Sequence, residues 1–98
     1  MPSIAGLLEA EIARAPDAVR ARGAELNRSG AVQVVRFGPS AVTAEVDGPA
    51  HRVEFTLVNG TLHWFCTCPE GRAGAFCHHC VAAAHSTPKK REMAPNFI

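Results

Sequence analysis

The chain is 98 residues long, enough for one domain and too short for a catalytic domain plus a regulatory one. Hydrophobic residues make up 47% and charged residues 19%, which excludes a disordered tail, although the core of so short a chain is thin. Ten Lys+Arg stand against nine Asp+Glu, and a net charge of +1 excludes both a basic clamp that holds nucleic acid by charge alone and an acidic mimic.

From the N-terminus, Ile4, Leu7, Leu8 and Ile12 recur at helical spacing, with Ser3 placed to cap the helix. Pro16 interrupts the pattern and suits the first position of a second helix, where Asp17 meets the positive end. That helix carries Val19, Gly23 and Leu26 inward and fades near Asn27–Gly30. From Ala31 the period changes to two, and AVQVVRF, AVTAEV, RVEFTLV and TLHWF read as four strands. Gly38-Pro39 and Asp47-Gly48-Pro49 punctuate the first gaps. Asn59-Gly60 favours a type I′ turn, which makes the last two strands antiparallel neighbours. Val42, Ala44 and Val46, then Val53, Phe55 and Leu57, then Leu62, Trp64 and Cys66 are expected to face a core, with Glu45, Glu54 and His63 pointing away. Pro69 to Gly74 reads as a loop and Cys77 to His85 as a short alanine-rich helix. The tail begins at Pro88 and lies outside the compact part, unless Phe97 and Ile98 dock back. The expected class is therefore α+β: an antiparallel sheet of about four strands, N-terminal helices and a short C-terminal helix. The expected organisation is a helical segment at 1–29, a β-β-β-β-α module at 30–86 and a tail at 87–98.

No apolar run approaches the ~20 residues of a membrane span. The opening MPSIAGLLEAEIARAP lacks a basic n-region and a long apolar h-region, so the cytoplasm is the expected compartment and no membrane partner is expected. All four cysteines, Cys66, Cys68, Cys77 and Cys80, fall within fifteen residues. In a reducing compartment so tight a cluster points to a metal ahead of two disulfides or redox use. Cys66 and Cys68 are two apart at a strand end and project to the same side, so both thiolates reach one ion. Pro69 to Phe76 reverses the chain, and Cys77 returns a third sulfur at the start of the last helix. Spacing leaves the fourth ligand open among His78, His79 and Cys80.

Cys66-Thr67-Cys68-Pro69, a loop, and Cys77-His78-His79 followed by Cys80-Val81-Ala82 resemble a SWIM-type zinc finger, written C-x-C, a variable loop, then C-x-H. That family places a β-hairpin before the first pair and a short apolar helix after the last, and the resemblance covers about residues 30–85. It implies one zinc ion held by Cys66, Cys68, Cys77 and His79, stapling the sheet to the helix. It also implies an exposed His78, at the family's variable position. Cys80 departs from the pattern, standing where the family has an apolar residue, and is read as a small buried side chain.

Protein fills all four expected positions, Glu70 is the only nearby acid, and the Glu-bearing histidine pair of a zinc deaminase or metalloprotease is missing. The zinc is therefore read as structural, the chain as no enzyme, and no small-molecule substrate is expected. Trp64 is expected in the core, not on a base-stacking platform, and Phe76 against the sheet, whereas Phe65 points the other way. The arginines are scattered, Lys89-Lys90-Arg91 is the only basic run, and His51, His63 and His85 read as surface histidines. The resemblance implies interaction with protein or nucleic acid, and the near-neutral charge favours protein. The alternatives are a thiol switch at Cys80 and a structural subunit of a larger assembly.

Overall fold

The computed structural model describes residues 4–87, and the Ser3 cap, the tail from Pro88, its basic run and the docking of Phe97 and Ile98 lie outside the described residues. Two helices come first, α1 (Ile4–Arg14) and α2 (Asp17–Arg28). The apolar stripe of α1 packs: Ile4 and Leu8 are buried in the core, and Ile12 lies against it. Pro16 sits one position earlier than expected. It caps α2 from outside, and its carbonyl accepts the Arg20 N–H at 3.0 Å, because a residue without an N–H closes the α1–α2 corner without breaking either helix. At the far end the Gly30 N–H donates to the Asn27 carbonyl and the Ala31 N–H to that of Leu26, the paired bonds of a Schellman close.

The strands β1 (Val32–Phe37), β2 (Ala41–Val46), β3 (His51–Val58) and β4 (Thr61–Cys66) form one antiparallel sheet in sequence order. The β3–β4 turn is the expected one, with positive φ at both Asn59 (51°) and Gly60 (78°). A register shift between Val34 and Arg36 bends the edge strand β1. The inner face carries Val42, Ala44, Val46, Val53, Phe55 and Cys66, each no more than 1% exposed, while Leu57 is only half-buried near the sheet end. Glu54, His63 and Phe65 lie on the opposite, open face.

The segment after β4 is not wholly a loop. Pro69–Arg72 forms a one-turn helix, α3, with Pro69 at its first position. The last helix, α4 (His78–Ser86), starts one residue later than expected, with Cys77 as its cap. It touches all four strands on one side and α2 on the other. A helix covered on both sides has no polar face to spare, which is why Cys80, Val81, Ala82 and Ala83 are all 0% exposed. Alanine lets the backbones approach, and Gly23 takes this furthest: a Cβ there would lie 2.5 Å from Val81 Cβ. Ser86 donates its hydroxyl to the Asn27 side-chain oxygen and ties the far ends of α2 and α4 together. No helix among the described residues is long and apolar enough to cross a membrane.

Candidate metal centre

The four expected donors arrive from three places. Cys66 closes β4, pairs with Val53 across the ladder and faces inward. Cys68 follows in extended conformation as the cap of α3, and its sulfur accepts the Gly71 N–H at 3.3 Å. Between them Thr67 is pinned outward. Its N–H donates to the Arg52 carbonyl, its hydroxyl accepts the Arg52 N–H, and its carbonyl accepts Arg72 Nε. Alternation along an extended chain then sends both sulfurs to the same side. The first turn of α3 fits against Cys66 only because residue 71 is glycine; a Cβ there would stand 2.4 Å from Cys66 Cβ.

Phe76 guides the chain back. Its ring stacks on Phe55 at 6.0 Å and meets Trp64 edge-on at 5.3 Å, while Trp64 Nε1 donates to the Gly74 carbonyl. Trp64 is thus part of the inner packing, whereas Phe65 is exposed, 44% accessible. Cys77 caps α4, its carbonyl accepting the Val81 N–H, and His79 follows within the first helical turn.

The ligand atoms of Cys66, Cys68, Cys77 and His79 all lie within 4.8 Å of one another, and all four residues are buried. Cys68 Sγ is 3.5 Å from Cys77 Sγ, and His79 Nδ1 is 3.7 Å from Cys66 Sγ and 3.9 Å from Cys77 Sγ. A tetrahedral site with metal–sulfur bonds of ~2.3 Å and metal–nitrogen bonds of ~2.0–2.1 Å has edges of about 3.5–3.8 Å. Three of the separations lie close to these edges, and the donor types suit one ion of the borderline-soft kind that sulfur and imidazole favour. Cys80 lies outside this set, although its sulfur is 3.8 Å from that of Cys77.

The electrostatics of the bare cluster follow from crowding. Hydrogen bonds from the Cys66 and Cys80 thiols hold Cys77 far below the ordinary thiol range. Cys66 and Cys80 are pushed up by that same pairing and by burial, and Cys68 chiefly by burial. His79 is lowered by burial, reinforced by neighbouring His78, against the pull of Cys77. A dication reverses the cost of gathering thiolates in so small a volume, since it needs deprotonated ligands.

Two histidines differ from expectation. His78 is half-buried, not exposed, and its ring lies 4.1 Å from that of His79 at 41°. His51, the first residue of β3, is also half-buried and stacks on His79 at 4.1 Å and 29°. The Asp47–Ala50 turn brings His51 over the centre from a position remote in sequence, and no motif marked it. His63 and His85 are exposed as expected, and so is Glu70, on α3. An open groove of about 430 Å³ runs beside the centre, lined by Glu11, Pro16, Trp64, Glu70, Phe76 and His78 among others. No protein-family model, curated protein or solved structure matches the chain.

Proposed function

We propose that this chain is a zinc-stabilised module of SWIM type that presents a surface to a macromolecular partner and carries out no chemistry of its own. The observation that supports this is the buried set of three sulfurs and one imidazole nitrogen within 4.8 Å of one another, three of the separations at 3.5–3.9 Å. Three thiolates and an imidazole favour zinc among the common intracellular ions. With all four donors supplied by buried protein groups, no position is left for water or substrate, so the ion is structural. Glu70, the only acid in the loop, is solvated.

The partner is read as protein. The net charge of +1 offers little to a polyanion, whereas the open sheet face exposes Val58 and Phe65. The thiol-switch alternative is disfavoured by Cys80 itself, which is 0% exposed and so sheltered from oxidant. Elemental analysis of the purified full chain tests the metal; about one zinc per chain is expected. Cooperatively folded, metal-free protein with freely titrating thiols would overturn the reading. An electrophoretic shift series with single-stranded and duplex DNA across salt tests the partner class. Little or no binding is expected even at low salt, and salt-sensitive retention would move the assignment to nucleic acid.

A further inference from the structure

The ring of His79 touches two others. His51 comes from the start of β3 and His78 from the start of α4, and each ring centroid is 4.1 Å from that of His79, at 29° and 41°. His79 is 6% exposed, and its Nδ1 faces the sulfurs of Cys66 and Cys77. Beside it stands a competitor. Cys80 is the next residue of the same helical turn, fully buried, with its sulfur 3.8 Å from that of Cys77, a distance that also suits a tetrahedral edge. A fourth sulfur thus stands next to the three-sulfur, one-nitrogen set, within a tetrahedral edge of Cys77.

We infer that His51 and His78 are positioning residues that select His79 over Cys80 as the fourth ligand. The inference rests on the metal-binding reading above. An imidazole turns about its Cα–Cβ and Cβ–Cγ bonds, and a ring packed against two neighbouring rings at 4.1 Å cannot make either turn without breaking one of those contacts. The ring therefore stays in the plane that aims Nδ1 at the ion. With His79 seated, Cys80 is left as a buried thiol whose neighbour is Cys77. Supporting groups of this kind typically change metal affinity by ~10–100-fold when removed. His51 matters most as evidence, because it is remote in sequence from the cysteine motif and no coordination role explains its place.

Cobalt(II) loaded into the full chain reports the donor set directly, because its d–d bands shift to lower energy and its thiolate charge-transfer absorption grows as sulfur replaces nitrogen. The wild-type protein is expected to give a three-sulfur, one-nitrogen spectrum. His51→Ala is expected to shift towards the four-sulfur spectrum and to weaken binding by roughly tenfold. Adding Cys80→Ser to His51→Ala is expected to abolish that shift. His51→Phe, which keeps a stacking ring without a donor atom, is expected to restore the wild-type spectrum. A His51→Ala protein that keeps the wild-type spectrum overturns the inference, whatever its affinity. Should that variant not fold, His78→Ala removes the other ring and carries the same two outcomes. A wild-type chain that takes up neither cobalt nor zinc would instead defeat the metal reading itself.

Discussion

Cys80 shows how much a single side chain is decided by its neighbours. It is the fourth cysteine of the cluster, yet the inner face of α4 keeps it within the packed core while His79, one residue earlier, points its nitrogen at the sulfurs. Cys80→Ser is expected to leave zinc content unchanged and to cost about 1–2 kcal/mol for seating a hydroxyl in an apolar site, read by elemental analysis and denaturant titration. Cys68→Ser is expected to lose the ion and with it most of the order around the centre, visible as a collapse of zinc content and a lowered unfolding midpoint. Gly71 is the least conspicuous residue on which the site depends. In Gly71→Ala the new methyl group meets the Cβ, Cα and carbonyl oxygen of Cys66, at 2.4, 3.0 and 2.8 Å, and none of these is the free end of a side chain. It is expected to displace Cys66, lower metal affinity and destabilise the fold by about 1–3 kcal/mol. At this scale the cysteines were legible because ligand spacing is a local property. The roles of His51 and Gly71 were not, since they arise from contacts across the fold that no run of residues encodes.

Elements were legible in proportion to their periodicity. The change of period from 3.6 to two at Ala31 separates helices from strands, and the Asn59-Gly60 pair fixes the β3–β4 turn because positive φ at both positions suits few other dipeptides. The single turn of α3 has no period to show, and Pro69 reads equally well as a strand stop or a helix start. The spacing of Gly23 with Leu26 marked the inner side of α2, but not that this side meets α4 instead of the sheet. That contact decides what a methyl group at residue 23 does. Gly23→Ala gains up to ~1 kcal/mol of helix propensity, yet its methyl group would stand 2.5 Å from Val81 Cβ and Cγ1 and 2.9 Å from the His78 carbonyl oxygen. Overpacking of ~1–3 kcal/mol outweighs the propensity, so a net loss near 1 kcal/mol is expected, equivalent to a fall of about 4–8 °C in thermal midpoint. An unchanged or raised midpoint would mean that α2 and α4 do not pack this closely.

At the scale of the whole molecule, the question is what holds so small a core together. The described ion pairs contribute little, because those of Arg14, Arg20 and Arg22 are surface contacts to residues three apart and that of Arg52 to Glu45 reaches only 4.0 Å. The core itself joins one sheet face to α1 and α4 through Ile4, Leu8, Val42, Val46, Val53 and Phe55, and it extends without interruption into the four cysteines. The candidate metal centre is therefore a corner of the core, and its residues bring together the end of β4, the cap of α3 and the start of α4, three segments otherwise connected by short turns. An ion bound only by the folded chain stabilises it by ~2.7 kcal/mol when free metal exceeds the dissociation constant a hundredfold. For a domain of this length that corresponds to about 10–20 °C in thermal midpoint. Chelation of the loaded protein is accordingly expected to lower the midpoint by that amount, and returning one equivalent of zinc to restore it. Cys68→Ser is expected to start from the lower midpoint and to respond to neither addition. If chelation removed the ion and left the midpoint where it was, the centre would be an accessory to a core already sufficient, and α3 and α4 would owe their place to Trp64, Phe76 and the α2 contact alone.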